Sequence, residues 1–478
     1  VSADDFDYDL IVIGCGPAGE RGAAQAAYFG HRVLVVEKEP EPGGAAVHTG
    51  TLPSKTLRET ALYLSGFRQR ELYGVSVALE NPHAAVPRLI ARKDAIASQE
   101  STRIRENLKK HGVELAPGKA RFTGPHEIAI DGPTPRRATG KFFLIATGSV
   151  PRNPPEIPIS EPDVHDSDEV LRLEQLPDKL VVLGAGVIGC EYACMFAALG
   201  VKVVLVEART QFLPFLDFEI GQRLETAMTH LGIEIRKGHR WGKIHRNERG
   251  RLLCDLADGS VLECEQLLFA AGRIGQSAGL GLEDIGVIPD ERGALKVDGN
   301  YRTSVPHVYA AGDVIGFPAL ASVSMEQARV AVCHMFEIDY KKSVGDMLPY
   351  GIYTIPEVSC VGETEESCKA RGIDYVVGRA FYDDNARGLI QGDLEGMTKL
   401  VVHRGTRRLI GVHLIGDRAS ELVHIGQAVM HLGGRVDAFI EMVFNYPTLA
   451  ESYKYAAYAA LGALSRDPLP IETAPKGS

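Results

Sequence analysis

One pattern occurs twice in the 478-residue chain, and it limits what the chain can fold into more than any other feature. Residues 8–13 (YDLIVI) form an apolar run of strand length, followed at once by Gly14-Cys15-Gly16-Pro17-Ala18-Gly19. A helical stretch then runs through Ala27, and a second apolar run from Arg32 to Val36 ends in Glu37. The layout returns at residues 180–207, with LVVL, Gly184-Ala185-Gly186-Val187-Ile188-Gly189, a helical stretch, KVVLV and Glu207. In both copies the acid falls 23 residues after the first glycine. The first glycine permits a tight turn, the second lets backbone approach a pyrophosphate, and the third lets helix and strand pack closely. The helix N-terminus favours the phosphate charge, and an acid at the strand end can accept hydrogen bonds from a ribose diol. One such fingerprint arises in many loops, but two in full strand, helix, strand and acid context predict two dinucleotide-binding α/β units.

Length and a 45% hydrophobic content support several cores, on the order of three domains. The net charge of −10 argues against nucleic acid as a partner, because phosphate backbones require clustered positive charge. No apolar run approaches the roughly 18 residues that span a bilayer, and the acidic start VSADDFDYD is unlike a signal peptide, so a cytoplasmic location is expected. Eight cysteines are scattered along the chain, which predicts reduced thiols. Cys190 and Cys194 fall one helical turn apart with no cluster of ligands around them and read as small core residues, and no metal site is expected.

Two dinucleotides in one chain imply a hydride donor and an acceptor held face to face. FFLIATGS (Phe142 to Ser149) and LLFAAGRIG (Leu267 to Gly275) each read as a strand running into a small-residue turn that can pass close to a ligand. In HVYAAGDV (His307 to Val314) a Gly-Asp at a strand end predicts a carboxylate and a free backbone N–H beside a polar ligand tail.

The series GCGPAG, GGAAVHTGTLPSK, ATGS, GAGVIGCEY, AAGR, AAGDV, GIYTIPEVSCVG and NYPTLAE, in that order over nearly the whole chain, resembles the two-dinucleotide flavoprotein disulfide reductases, the group of glutathione reductase and dihydrolipoamide dehydrogenase. The resemblance implies an α/β protein with two Rossmann-like dinucleotide-binding domains plus a C-terminal α+β dimerisation domain, assembled as a homodimer. The FAD-binding domain is expected to be discontinuous, residues 1–150 and 275–345, with the NAD(P)H-binding domain at 151–274 inserted and the dimerisation domain at 346–478. FAD is then expected on Gly14, Gly16, Gly19, Glu37, Gly44, Thr51, Lys55, Ala146, Thr147, Gly148, Gly312 and Asp313, with Asp313 directed at its ribityl and phosphate region. NADH or NADPH is expected on Gly184, Gly186, Gly189, Glu207, Arg209 and Gly272. The resemblance further implies that Lys55 and Glu191 pair beside the flavin N5. A cation there favours the anionic reduced flavin.

The chain departs from the family at its reactive centre. Disulfide-reducing members carry two cysteines where Ala46 and Thr51 stand here, and neither residue can form a thiolate or a mixed disulfide. Dihydrolipoamide and glutathione disulfide are therefore excluded as ordinary substrates. Tyr446 replaces the histidine that precedes Pro447-Thr448 in the reductases, a poor base at neutral pH, and leaves the second catalytic position, Glu451, without an imidazole partner. Within the family the resemblance narrows to the soluble (si-specific) pyridine nucleotide transhydrogenases, through His48 and Thr51 in VHTGTLPSK, GIYTIPEVSCVGETE, and GDRASELVHIGQAVM followed by FNYPTLAE. Those enzymes usually retain one cysteine at the position of Ala46. The implied reaction is hydride transfer between pyridine nucleotides through FAD. A quinone acceptor is the alternative, and a non-catalytic flavin-bound redox sensor a third reading. Glu207 favours NADH by repelling a 2′-phosphate, whereas Arg209 either swings to meet that phosphate or is a plain surface arginine.

Elsewhere, residues 85–111 read as a long amphipathic helix on a solvated face that carries no chemistry. From residue 346 the pattern changes to strands with polar turns, then a helix through ELVHIGQAVMHLGG and a final Ala- and Tyr-rich helix. His424 and His431 share a helical face and read as packing or interface residues, and the tail SRDPLPIETAPKGS reads as mobile.

Overall fold

The computed structural model describes residues 6–65, 82–159 and 161–466. The chain is a mixed α/β protein that divides into two compact units, residues 1–57, 83–175 and 268–345 in the first and residues 58–82, 176–267 and 346–478 in the second.

In the first unit the strand Tyr8–Ile13 lies between Val33–Glu37 and Arg136–Ile145, with Glu114–Pro117 beyond one and Val308–Ala310 beside the other, all parallel. The run YDLIVI is continuously apolar because its two faces serve two cores. Leu10 and Val12 pack with the helices Pro17–Tyr28 and Ala321–Met335, whereas Ile11 and Ile13 pack over the antiparallel strands Lys119–Gly124 and Glu127–Asp131 through Phe122, Ile128 and Ile130. Helix Pro17–Tyr28 lies close because of Gly22, where a Cβ would come 2.7 Å from Leu144 and 3.4 Å from Ala328.

The helix expected at 85–111 spans Pro82–Lys110, and its expected solvation holds for only part of its surface. Ala97, Ile104 and Leu108 are core residues, the Ser101 hydroxyl donates to the Pro42 carbonyl at 2.8 Å, and the Asn107 amide donates to Glu20 at 2.6 Å. Charged residues on its outer face dominate the composition, which is why the sequence reads as fully solvated.

In the second unit Lys202–Glu207 lies between Lys179–Leu183 and Glu234–Lys237, again parallel, with an antiparallel strand trio Trp241–Arg246, Leu252–Leu256 and Val261–Cys264. Residues from 346 build a five-stranded antiparallel sheet in the order Tyr350–Ile352, Val358–Gly362, Leu409–Ile415, Met397–His403 and Tyr375–Phe381. Helices Ala419–His431 and Ser452–Arg466 cover it. Gly378 lets the second helix press on the sheet, since a Cβ there would collide with the Ala456 carbonyl oxygen. His424 and His431 are exposed in the single chain, and the His424 ring bonds the Gln427 side chain at 2.8 Å. All eight cysteines are buried and unpaired. Burial pushes the Cys194 thiol up to about 12 and that of Cys190 well above the usual range. No helix among the described residues is long and apolar enough to cross a membrane. The tail from residue 467 lies outside the described residues.

A buried cation ties the two parts of the second unit together. The Lys399 ammonium, 1% exposed, lies 2.7 Å from Asp217, 2.9 Å from Glu219 and 2.6 Å from Glu365, and Arg379 bridges Glu219 and Glu365 at 2.8 and 3.2 Å. Asp217 also caps the helix Phe218–His230 by accepting from the Glu219 N–H. Burial opposes the charge on Asp217, but the His413 ring and the Lys399 ammonium outweigh it and hold the carboxyl below its ordinary value. Glu219 is lowered in the same way, against burial, by Lys399 and Arg379. Carboxyls depressed in the folded state stabilise it fully above their unfolded values, and that contribution is lost as pH falls below about 4. Lys399→Met is expected to cost about 3–5 kcal/mol in urea unfolding, because it leaves Asp217 buried without its ammonium partner. The same variant is expected to show a shallower acid limb than the wild-type stability curve, since Asp217 and Glu219 lose the ammonium that favours their ionised forms.

Candidate functional site

The first fingerprint is built at the carboxyl ends of the parallel strands. Ile13 leads into Gly14, whose φ of +98° is the left-handed turn that glycine alone takes without strain. A Cβ on Gly19 would overlap the Gly14 carbonyl oxygen, so the third glycine is demanded by the fold itself. Gly16 is different. Its φ is −78° and a Cβ there would meet nothing nearer than the Gly44 Cα at 3.9 Å. The protein does not require glycine at that position, but a pyrophosphate lying on the backbone does. Glu37 is buried at the end of Val33–Glu37, where one carboxylate oxygen accepts from the Cys15 N–H at 2.7 Å and the other from the Glu39 N–H at 2.9 Å.

The turn at Ala146, Thr147 and Gly148 lies against Gly14, where a Cβ would come 2.5 Å from the Ala146 oxygen, and the Thr147 hydroxyl donates to the Gln276 carbonyl at 2.6 Å. Asp313 opens a short helical turn after Gly312, whose φ is +82°. The Gly312 N–H donates to the Gln327 side chain at 2.9 Å. The sequence offers no sign of this because Gln327 comes from a helix 15 residues on. The Asp313 carboxylate accepts from the Ser149 hydroxyl at 2.8 Å.

The second fingerprint repeats the first closely. Gly184 has φ +104°, a Cβ on Gly189 would overlap the Gly184 carbonyl oxygen, and a Cβ on Gly186 would meet no protein atom within 4 Å. Glu207 accepts from the Ala185 N–H at 2.9 Å and from the Arg209 N–H at 3.0 Å, the bonds that Glu37 makes in the other half. It then makes two more, because the Arg209 guanidinium closes on it with Nε at 2.9 Å and Nη2 at 3.0 Å. Burial opposes the charge on Glu207, but the guanidinium and the two backbone donors outweigh it and lower the carboxyl. The Arg209 side chain is half exposed and bonded to Glu207, so its meeting a phosphate requires the release of this bidentate latch. All of the roughly four lone-pair positions of the Glu207 carboxylate are occupied.

The remaining candidates are placed as follows. Ala46 lies on the short helix Gly44–His48, and Thr51 is exposed at the start of Thr51–Ser65. His48 is held by the Pro42 carbonyl at 3.1 Å and the Ser101 hydroxyl at 3.3 Å. The Lys55 ammonium donates to the Ser54 hydroxyl at 3.3 Å, in the first unit. Glu191, in the second, is buried and accepts from the Tyr353 N–H at 2.9 Å. Gly272 turns with φ +120° and open space at its Cβ position. Tyr446 is 74% exposed and Glu451 half-buried on the turn Leu449–Glu451, so the single chain draws the tyrosine into no pocket. Ser149, Arg273 and Gln276 carry polar contacts that sequence reasoning passed over, although ATGS and AAGR contain the first two.

Residues 8–332 match the family described as pyridine nucleotide-disulphide oxidoreductase, and residues 348–457 match its dimerisation domain. A protein of Mycobacterium tuberculosis (strain ATCC 25177 / H37Ra) named soluble pyridine nucleotide transhydrogenase is 44% identical over 454 residues, 94% of this chain and 96% of that protein. One of the same name from Pectobacterium atrosepticum is 39% identical over 465 residues, 96% of this chain and 98% of that protein. Among solved structures, LpdA from Mycobacterium tuberculosis is similar with a TM-score of 0.86 at 28% identity, covering 94% of this chain and 99% of that one. The HOCl-induced flavoprotein disulfide reductase RclA of Escherichia coli is similar with a TM-score of 0.84 at 28% identity, covering 93% and 98%.

The contrast between the glycines is testable. Gly186→Ala is expected to leave the melting temperature unchanged while raising KM for pyridine nucleotides about tenfold, through loss of one charge-assisted phosphate contact. Gly189→Ala, with its Cβ forced onto the Gly184 carbonyl, is expected to cost about 1–3 kcal/mol of stability. Thermal unfolding and steady-state KM values of the two variants check both statements.

Proposed function

The chain belongs to the pyridine nucleotide-disulphide oxidoreductase family and is an FAD-dependent NAD(P)H oxidoreductase, and we propose that it equilibrates the two nicotinamide pools, NADH + NADP⁺ giving NAD⁺ + NADPH. FAD, when bound, supplies the two-electron relay between one nucleotide and the next. The protein supplies binding, orientation and electrostatics.

In this reading the turn from Gly14 to Gly19 holds the FAD pyrophosphate, Glu37 the adenosine ribose, and Asp313 the polar tail, with the turn at Ala146 to Gly148 alongside. Lys55 provides the positive charge that a reduced flavin requires. Gly184, Gly186 and Gly189 take the diphosphate of whichever nicotinamide nucleotide is present. The FAD-binding domain covers 1–150 and 275–345 around an NAD(P)H-binding domain at 151–274. The region from 346 mediates a homodimer in the cytoplasm, with Tyr446 and Glu451 near the subunit boundary. The dimerisation domain match over 348–457 and the exposure of Val443 and Leu432, 94% and 83%, support the homodimer.

The observation that carries the transhydrogenase reading is the Glu207–Arg209 latch. An enzyme using both nucleotides must accept either a ribose hydroxyl or a 2′-phosphate at one position. Here a carboxylate for the first and a guanidinium for the second start bonded to each other. A 2′-phosphate would draw Arg209 off the carboxylate and form the same bidentate contact. An unphosphorylated ribose would take up the lone pairs that the arginine vacates. The likeness to named transhydrogenases supports a nicotinamide acceptor and gives none to a quinone.

Two measurements test this. In anaerobic stopped flow, flavin reduced by NADH is expected to be reoxidised rapidly by an NADP⁺ analogue, and reoxidation by quinone alone would overturn the reading. Arg209→Met is expected to raise KM for NADPH about 10- to 100-fold, the loss of a charged bidentate contact, and to leave KM for NADH within about threefold. Equal losses for both nucleotides would assign Arg209 to structure.

A further inference from the structure

Within the first unit a continuous polar chain leads from Asp168 to Asp313. Asp168 faces the Arg273 guanidinium at 3.5 Å. Arg273 donates through Nε to the Ser149 hydroxyl at 2.9 Å and through Nη2 to the Ser149 carbonyl at 2.8 Å. The Ser149 hydroxyl then donates to Asp313 at 2.8 Å. The two motif ends that sequence reasoning treated separately are one structure, because Arg273–Gly275 pairs antiparallel with Ser149–Pro151.

The chemistry of a hydroxyl makes this chain directional. Serine has a single O–H to donate. Arginine can only donate, so once Arg273 Nε occupies the Ser149 oxygen from one side, the hydroxyl proton is left for the carboxylate on the other. The guanidinium is held in turn by the Ser149 carbonyl and by Asp168, whose backbone N–H is pinned to the Asp166 carboxylate at 2.8 Å. On its other side, Asp313 follows a glycine whose N–H is fixed by Gln327. Burial raises the Asp168 carboxyl despite the neighbouring Arg273, which marks the far end of the chain as desolvated.

We propose that Arg273, acting through Ser149 and with Asp168 as its counter-ion, is the positioning residue that aims the Asp313 carboxylate at FAD. The inference rests on the reading of Asp313 as a flavin ligand. It assigns to the AAGR arginine a part in retaining the cofactor.

The test uses purified holoprotein and follows FAD release by the recovery of flavin fluorescence after dilution. Ser149→Ala and Arg273→Met are each expected to speed release about tenfold, the worth of one charge-assisted hydrogen bond. The double variant is expected to be no faster than either single one, because both act along one path. Arg273→Lys, which keeps a donor for the hydroxyl, is expected to restore part of the retention. The melting temperatures of the apoproteins are expected to be alike, whereas a merely structural arginine would lower that of Arg273→Met. Release at the wild-type rate in both single variants, or additive losses in the double, would overturn the inference alone. A wild-type protein that takes up no FAD would overturn the reading of the site and this inference with it.

Discussion

Glu37 and Glu207 each place one carboxylate oxygen on the N–H between the first two glycines of a turn and the other on the N–H of the residue two after the acid itself. A glycine turn has almost no side chains with which to hold itself, and its amides must already point one way before an anion can use them. The buried acid gives that order. It ties the end of one parallel strand to the turn leaving its neighbour, and the bonds it accepts offset the cost of its own burial. The close third glycine and the open space at the second lie beside this brace. The acid is thus part of the scaffold.

The two halves diverge at one position in this scheme. Two residues after the acid, the first half has Glu39, turned outward, and the second has Arg209, folded back. Glu37 therefore accepts two backbone hydrogen bonds, whereas Glu207 accepts the same two and two more from a guanidinium. A ligand that stays for the life of the protein gains from an open acid. A ligand that must leave in every turnover is released more readily when the acid it abandons is taken up at once by a neighbouring cation, because no buried charge is left exposed during departure.

The sequence made the βαβ units legible almost to the residue, since both rest on local chemistry: apolar strands, glycines at fixed spacing and an acid at a strand end. The replacement of both cysteines by Ala46 and Thr51 was equally plain, because it depends on residue identity alone. What could not be read were contacts made across long stretches of chain. Gln327 reaching Gly312, Arg273 reaching Ser149 and Lys399 gathering Asp217, Glu219 and Glu365 leave no periodicity behind. Helix Pro82–Lys110 shows the converse error, where a charged outer face hid a buried one carrying Ser101 and Leu108. The side chain of Arg209 was legible as a residue but not as a conformation, because a guanidinium two residues from a carboxylate can turn either way.

The buried thiols bear on where such an enzyme can work. All eight cysteines are enclosed, and burial raises the pKa of Cys15, Cys190, Cys194, Cys254, Cys360 and Cys368. Peroxides and alkylating electrophiles attack accessible thiolates, and here they meet only buried sulfurs, six of them with a raised pKa. A relative that depends on a reactive cysteine pair is silenced by the same oxidants that consume cellular reductant. A chain built this way keeps its redox chemistry insulated from that damage, and its activity follows the nucleotide pools and not the thiol balance of its surroundings.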